Sequence, residues 1–482
     1  MLNSVDFSGR PFHFIGIGGI GMSALAYVLT KRNLPVSGSD LSLSHITQRL
    51  QAQGAHIFWS QDAANLEAFR VGEAVTPSET ILPQVVCSTA INPANPEYRA
   101  ALELGCPILH RSELLAALIK ESKGIAVAGT HGKTTTSSMI GYLLLKAGLD
   151  PTIVVGGEVD AWEGNAWAGE GEYLVAEADE SDGSLVRFNA EIGVITNVEL
   201  DHPDHYTTLD EVIATFKTFA SQCRITIGCI DCEIVREVIQ PTISYSLHPE
   251  TQADYTVDHV SYSGNGVTAH VRERGQLLGQ LNLTLLGQHN LSNALAAIAV
   301  GRLVGLEFAQ IASILSTFVG ARRRFEHRGE YNDILLIDDY AHHPSEIEAT
   351  LAAARLRAQT TTPARRVVAI FQPHRYSRTQ TFLAEFGQAF ADADLVVTTD
   401  IYSAGEPVGQ VTGQQMAETI AAHHPNVAYQ PTLQSMTAYL LETLMPGDLA
   451  LFLGAGNLNR IIPELAVFYQ QIDENKSHIC VS

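Results

Sequence analysis

The sequence predicts an α/β protein of three domains, each built on a mainly parallel, doubly wound sheet. Three observations lead there. Apolar runs of strand length alternate with helical patterns along nearly the whole chain. Two of those runs break into glycine turns that open helices, "FIGIGGIGMSALA" (Phe14 to Ala26) and "IAVAGTHGKTTTSSM" (Ile125 to Met139). Finally, 482 residues at 46% hydrophobic content are more than one core organises.

The first domain is expected over residues 1–121. There "PFHFIGIG" reads as a buried strand, "GMSALAYVLTKRN" as the next helix, and "PVSGSD" and "VVCSTAI" as further strands. The second domain, 122–321, opens on the loop at Gly129. It runs through the strands "YLVAEADES" and "IGVITNVELDH" to the Ala-rich helix "NLSNALAAIAVGRLVG". Within it, residues 243–286 alternate and are punctuated by glycine, which predicts a small antiparallel insertion. The third domain, 322–482, alternates again through "ILLIDDYAHHPSEIEATLAAARL", "RVVAIFQPHRYS", "DLVVTTDIYS" and "DLALFLGAGN"; the tail "ENKSHICVS" is expected to fray.

Charge narrows the function classes. The net charge of −22, from 52 acidic against 30 basic residues, argues against a general nucleic-acid or anionic-membrane binder. Anionic small ligands remain open to it, because loops and helix N-termini bind phosphate locally. No apolar stretch has the length of a membrane span, and Asp6 and Arg10 stand where an export signal would be apolar. Six cysteines in a chain this long point to reduced thiols in a cytoplasmic protein. Cys229 and Cys232 form a C-x-x-C, but no second ligand pair with zinc-site spacing follows, so inert thiols are the better reading.

The loop "GTHGKTTT" is close to a Walker loop, with Val127 where the leading glycine belongs. Its physical requirements are still met. Gly129 and Gly132 let backbone N–H groups turn toward phosphate, Lys133 brings a point charge, and Thr134 offers a hydroxyl to Mg²⁺. Met139, Ile140, Leu143, Leu144 and Ala147 form an apolar face on the helix that follows. "YLVAEADE" ends in Glu177 and Asp179, as a metal-binding carboxylate at a strand end would. "GVITNVELDHPDHY" delivers Asp201, His202, Asp204 and His205 at an equivalent place.

"GIGGIG", Gly16 to Gly21, fits G-x-G-x-x-G, and Asp40 lies about twenty residues on. That is the fingerprint of a Rossmann-like dinucleotide site. Its physics is pyrophosphate on a helix N-terminus, however, so the loop alone does not choose NAD over a UDP-linked sugar.

In order, "GIGGIGM", "GTHGKTTT", "EADESD", "NVELDHPDHY", "GQHNLSNALAA", "GARRRFE", "DDYAHHPSEI", "FQPHRYSRT" and "LGAGN" resemble the Mur ligases across essentially the whole chain. The resemblance implies a Rossmann-like UDP-binding domain, a central P-loop ATPase-like domain with a small β insertion, and a Rossmann-like C-terminal domain. It implies ATP-dependent ligation of L-alanine to the muramoyl carboxylate of UDP-N-acetylmuramate, through an acyl phosphate, in peptidoglycan synthesis. ATP and Mg²⁺ are then required, and the chain acts in the cytoplasm as a monomer or homodimer.

Carried onto this sequence, the family pattern gives Gly129, Thr130, His131, Gly132, Lys133, Thr134 and Thr135 to the ATP phosphates. Asn290 and Asn293 go to the adenine, Arg324 and Asp339 to the nucleotide, and Thr134, Glu177 and His202 to metal. Gly18, Gly19, Gly21, Asp40, Ser88, Thr89 and Ala90 belong to the UDP substrate. His342, His374, Arg375 and Arg378 face the carboxylate and the alanine; Lys133, His202, His342, Arg375 and Arg378 are the expected catalytic groups. Closure of the domains is expected to precede chemistry.

Ala341 and Gln288 depart from the usual motif residues. The stretch between Lys146 and Lys217 holds no lysine, so the carbamylated lysine used by sister branches is missing from its usual region. Two alternatives stay in view. A muropeptide-recycling ligase would add a tripeptide to the same nucleotide sugar, and an NAD-dependent oxidoreductase would explain the first loop but leave Lys133, Glu177 and His202 unemployed.

Overall fold

The computed structural model describes residues 5–67, 69 and 82–479, with side chains to residue 474. They fall into two compact units. One runs to Val198 and takes in Ile213–Tyr245 and Ala296–Ile311; the other comprises Glu199–Val212, Ser246–Leu295 and the chain from Ala312.

The first unit contains two sheets. Strands β1 (Phe12–Ile15), β2 (Val36–Ser39), β3 (His56–Phe58), β4 (Gln84–Cys87) and β5 (Ile108–His110) form an all-parallel sheet in the order β3-β2-β1-β4-β5. All four residues of β1 are buried, as a strand covered on both faces requires. The order reverses between β1 and β4, so the ends of these two strands open the crevice where an open α/β sheet binds ligand. The glycine turn after β1 and the segment Ser88–Ile91 after β4 both lie at that end.

The second sheet of this unit has β6 (Lys123–Ala128), β7 (Thr152–Val159), β8 (Gly164–Trp167), β9 (Tyr173–Glu177), β10 (Ile192–Ile195), β11 (Ile225–Cys229) and β12 (Ile243–Tyr245). They are ordered β12-β11-β10-β6-β9-β7-β8. Only the β7–β8 pair is antiparallel. Strand β6 is central, so the loop at its end is flanked by the ends of β9 and β10. The helix Lys133–Lys146 behind that loop is buried all round from Thr134 to Leu144. The single apolar face expected from sequence understates this, because the small threonines and serines of the first turns also pack inward.

In the second unit, β13 (Tyr255–Ser263), β14 (Gly266–Glu273) and β15 (Gln276–Leu283) form antiparallel hairpins. The expected insertion over 243–286 therefore begins later. Its first residues, "ISY", instead make β12, parallel to β11 with Ile227 opposite Ile243. A six-stranded sheet follows from β16 (Glu326–Tyr331), β17 (Ile334–Asp339), β18 (Arg366–Phe371), β19 (Leu395–Thr398), β20 (Val427–Tyr429) and β21 (Asp448–Leu453). Its order is β16-β17-β21-β18-β19-β20, with only β16 antiparallel.

Alternation splits the strands of this sheet between two cores. Leu335, Ile337, Val367, Ala369 and Phe371 enter one, while Ile334, Leu336, Val368 and Ile370 enter the other. The last helix, Ile462–Ile479, continues through most of the tail expected to fray; 480–482 lie outside the described residues.

Phe390 is 1% exposed and its ring centroid lies 5.3 Å from that of Phe371, at the centre of the first of these cores. Phe390→Ala is expected to cost about 3–5 kcal/mol, read as a lower denaturant midpoint by circular dichroism. A loss under about 1 kcal/mol would show that this core is not close-packed.

Candidate functional site

In the first unit, the loop after β6 is held in shape before any ligand arrives. Gly129 has φ +140° and Gly132 +81°, and a side chain at Gly129 would collide with the Thr196 hydroxyl. The end of β10 does the fastening. The backbone N–H groups of Thr130 and His131 donate to the Asn197 backbone O (3.2 Å) and Oδ1 (2.8 Å). In return, Thr196 Oγ1 (2.6 Å) and Asn197 Nδ2 (3.2 Å) donate to the His131 carbonyl.

Lys133 opens the helix, with its ammonium curled over the loop. Nζ donates to the carbonyls of Gly129 (2.7 Å) and Thr130 (3.2 Å) and to both Glu180 oxygens (2.8 Å each). The Glu180 side chain is 2% exposed and that of Lys133 12%, so the pair is largely shielded from water. Burial opposes the lysine charge, but Glu180, Asp179 and Glu177 outweigh it and raise its pKa above the ordinary value. The cation expected at the phosphates is thus present, charged and paired.

Glu177 ends β9. Its Oε2 accepts from the Gly156 N–H at 2.8 Å, and the Thr134 hydroxyl bonds its carboxylate. Burial pushes this carboxyl up, against the pull of Lys133. Thr134 and Glu177, paired in the expected metal set, are thus together. Asp179 instead turns to Arg111 (3.2 Å) and Ser181.

At the first glycine turn, the Gly16 and Ile17 N–H groups donate to the Ser39 carbonyl at 2.9 Å. The Gly18 N–H donates to Asp40 Oδ2 at 2.8 Å. A Cβ on Gly18 would sit 2.7 Å from that oxygen, which explains the glycine. Gly19 caps the helix Ile20–Lys31 without a side-chain bond, and Thr89 and Ala90 are exposed beside Ser88. Arg111 Nη1 would lie 3.3 Å from a Cβ on Gly21, so a guanidinium flanks this loop. Sequence reading missed Arg111, Glu180, Thr196 and Asn197. Only the polar pair Thr196-Asn197, interrupting an apolar strand, carried a signal.

In the second unit, the residues after Glu199 meet those after β18. Arg378 is 2% exposed and its Nε donates to Asp201 Oδ1 at 2.8 Å; its Nη1 lies 3.2 Å from His374 Nδ1. Burial acts upward on Asp201, but Arg378 and His202 hold its carboxyl well below the usual range. His202 takes a left-handed backbone, φ +54°, and its N–H donates to Asp201 Oδ1 at 2.6 Å. Arg375, also left-handed at φ +68°, reaches Asp204 (2.9 Å) and Glu406 (3.5 Å).

Two imidazoles complete the group. His342 Nδ1 lies 2.9 Å from the Tyr340 carbonyl and 3.2 Å from Glu346. Both neighbours only accept, so Nδ1 carries the proton and Nε2 keeps its lone pair. The His374 ring stacks on Tyr402 and meets His342 edge-on at 5.7 Å. Burial lowers both, His342 against Glu346, and His374 is pushed down to about 2 with His342, Arg378 and Arg375 adding to the effect. His342, His374, Arg375 and Arg378, expected to act together, do converge.

Asp339 and Arg324 have a different setting. Asp339 is buried and accepts from the Phe325 (2.7 Å) and Ala341 (2.8 Å) N–H groups, which fixes the turn that presents Arg324 over the Tyr340 ring. Burial pushes its carboxyl up to about 6, against Arg324. Asn290 and Asn293 lie buried on one face of the helix Gln288–Leu303, 3.4 Å apart, and Asn290 also donates to the Leu286 carbonyl at 2.7 Å. The Cys232 thiol is tied to the Val198 backbone, and no disulfide joins the described cysteines.

Two phosphate-type loops in the first unit, and a cluster of paired cations and neutral imidazoles in the second, are the equipment of a nucleotide-dependent ligase. Models of the Mur ligase family match in sequence: the catalytic domain over 11–123, the middle domain over 127–301 and the glutamate ligase domain over 323–456. The chain belongs to the Mur ligase family. It is 68% identical to the UDP-N-acetylmuramate–L-alanine ligase of Nostoc punctiforme, over 96% of this chain and 98% of that protein. It is 63% identical to the ligase of the same name from Microcystis aeruginosa, over 98% of each. The solved UDP-N-acetylmuramate-alanine ligase of Thermotoga maritima superposes with a TM-score of 0.80 at 28% identity, covering 96% of this chain and 99% of that one.

The lowered His374 gives a pH signature. A base with a depressed folded pKa contributes stability above its unfolded value, about 6.5, and that stability is lost as pH falls through the window down to about 2. Between pH 7 and 5, wild type is expected to lose more stability than His374→Gln, by on the order of 1 kcal/mol. Parallel melting-temperature curves for the two proteins would refute a buried neutral imidazole.

Proposed function

We propose that the chain joins L-alanine to the muramoyl carboxylate of UDP-N-acetylmuramate with consumption of one ATP, in peptidoglycan precursor synthesis. The observation that supports it best is the pair of dissimilar loops within one unit. The turn at Gly16–Gly21 has no lysine and suits a nucleotide that is only held, while Lys133 marks the loop whose phosphate is transferred. In this reading residues 1–121 hold the UDP substrate, 122–321 the ATP, and 322–482 contribute to the amino acid and nucleotide sites. The reaction belongs to the cytoplasm, where ATP is supplied.

A muramoyl carboxylate oxygen attacks the γ-phosphorus of ATP, ADP departs, and an acyl phosphate forms. The free amine of L-alanine attacks the acyl carbon, and the tetrahedral intermediate expels inorganic phosphate. Anions converge in both steps, so the protein's contribution is placed cations and alignment. Lys133 meets the transferred phosphoryl, and Glu180 keeps it charged and aimed until phosphate shares it. Arg375 and Arg378 face the carboxylates, whose planar shape suits guanidinium. His342 Nε2 is an acceptor for the proton lost by the alanine nitrogen.

Thr134 and Glu177 present hard oxygens already in contact, and Glu177 is a half-buried carboxyl whose anion a cation would stabilise. These residues fit Mg²⁺, with His202 on a second ion. When bound, Mg²⁺ neutralises phosphate charge during transfer.

The test is phosphate release with UDP-N-acetylmuramate, ATP and Mg²⁺, omitting each in turn and offering L-alanine or the tripeptide as acceptor. Release only with L-alanine is expected. Turnover only with the tripeptide would favour the recycling ligase, and nicotinamide turnover without ATP would favour an oxidoreductase. Lys133→Ala should lower the rate at least ~10³-fold while UDP-N-acetylmuramate affinity by calorimetry stays unchanged. Equal loss of both would show that the loops do not serve separate ligands.

A further inference from the structure

The hairpin β13–β14 holds a cluster that the ligase reaction does not use. Asp258 on β13 stands directly opposite His270 on β14. Immediately after Asp258 the pairing slips, so that His259 and Val260 oppose the single residue Ala269, a β-bulge. In a regular strand His259 would point to the face opposite Asp258. Here it takes φ +48°, a left-handed conformation that is costly for a non-glycine residue, and its ring comes to 5.0 Å from that of His270. The bulge re-aims one imidazole to meet the other beside a carboxylate.

One potential ligand atom from each of Asp258, His259 and His270 lies within 4.8 Å of the others. Asp258 Oδ1 is 3.6 Å from His270 Nδ1, near the ligand separation of about 3.3–3.5 Å implied by tetrahedral zinc bonds. That oxygen is buried and has no hydrogen-bond partner. The other, Oδ2, accepts from Arg272 Nε at 2.5 Å, and Arg272 Nη1 is tied to the Gly275 carbonyl at 3.0 Å. The guanidinium thus orients the carboxylate from behind and leaves one oxygen for a cation, as the hydrogen-bond partners that hold metal ligands in place do.

The geometry points to a Zn²⁺ site formed by Asp258, His259 and His270 on this hairpin. Two imidazoles and one carboxylate suit a borderline first-row ion far better than Mg²⁺, which prefers oxygen. Three protein ligands leave a fourth position for water. The role is a clip across the bulge. The tip of the same hairpin is bonded to the helix Pro344–Ala358, through Arg357 to the Gly264 carbonyl (3.1 Å) and Asn265 Oδ1 (3.0 Å), so fixing the bulge stiffens a docked element.

The test is Zn²⁺ titration of the full chain by calorimetry in millimolar Mg²⁺, comparing wild type with His270→Ala and His259→Ala. Expected is one wild-type site with Kd of about 10 µM or tighter, weakened at least ~10-fold in each variant, while both keep the wild-type ligase rate in Mg²⁺. Co²⁺ bound by wild type should show visible ligand-field bands without a thiolate charge-transfer band, a readout that needs no variant to fold. Zn²⁺ affinity equal in all three proteins, a thiolate band, or no wild-type binding would each overturn the assignment.

Discussion

Burying a lysine at the mouth of a phosphate loop is the constraint around which the first unit is arranged. An ammonium taken out of water needs a partner, and Glu180 with two loop carbonyls supplies it. Those carbonyls face Nζ only because the loop bends at Gly129 and Gly132, and the bend persists only because Thr196 and Asn197 hold it from β10. The order of the sheet follows the same need, since β6 must lie between β9, which leads to Glu177 and Glu180, and β10, which leads to Thr196. Such a pair adds little net stability. It fixes where the charge stands.

The second unit solves a similar problem with arginine. Arg378 and Arg375 are each met by a carboxylate from the segment after Glu199, and both His202 and Arg375 accept left-handed backbone to do so. Strain of this kind, on the order of 1–3 kcal/mol per residue, collects where side-chain placement matters more than local comfort. The excess of acidic residues, unhelpful for holding anions in general, is consistent with this economy, in which each cation of the site is given its own counter-charge.

Fold and site were legible in the sequence to different depths. Strand–helix alternation announced the parallel sheets, and the glycine spacing placed both loops, because these features depend on periodicity and on backbone freedom that single residues reveal. The antiparallel insertion was visible too, but its start was not: "ISY" has the composition of either a hairpin strand or a parallel edge, and only its partner β11 decides. The helix after Lys133 looked amphipathic because threonine and serine count as polar, yet they are small enough to pack inside. Glu180, Arg111 and Thr196 were hidden for another reason. Their importance comes from what they touch across long stretches of chain, and no local pattern records that. The roles of His342, His374, Arg375 and Arg378 came from family resemblance, and their convergence in one unit supports that grouping.

The central claim is a division of labour: one loop holds the acid, and the other spends ATP on its carboxylate. Oxygen-18 placed in the muramoyl carboxylate reports on it directly. If the carboxylate attacks the γ-phosphorus, one labelled oxygen bridges the acyl phosphate and leaves in the inorganic phosphate, where mass spectrometry finds it after each turnover with L-alanine. Phosphate released without label, alongside formation of the amide, would contradict the account.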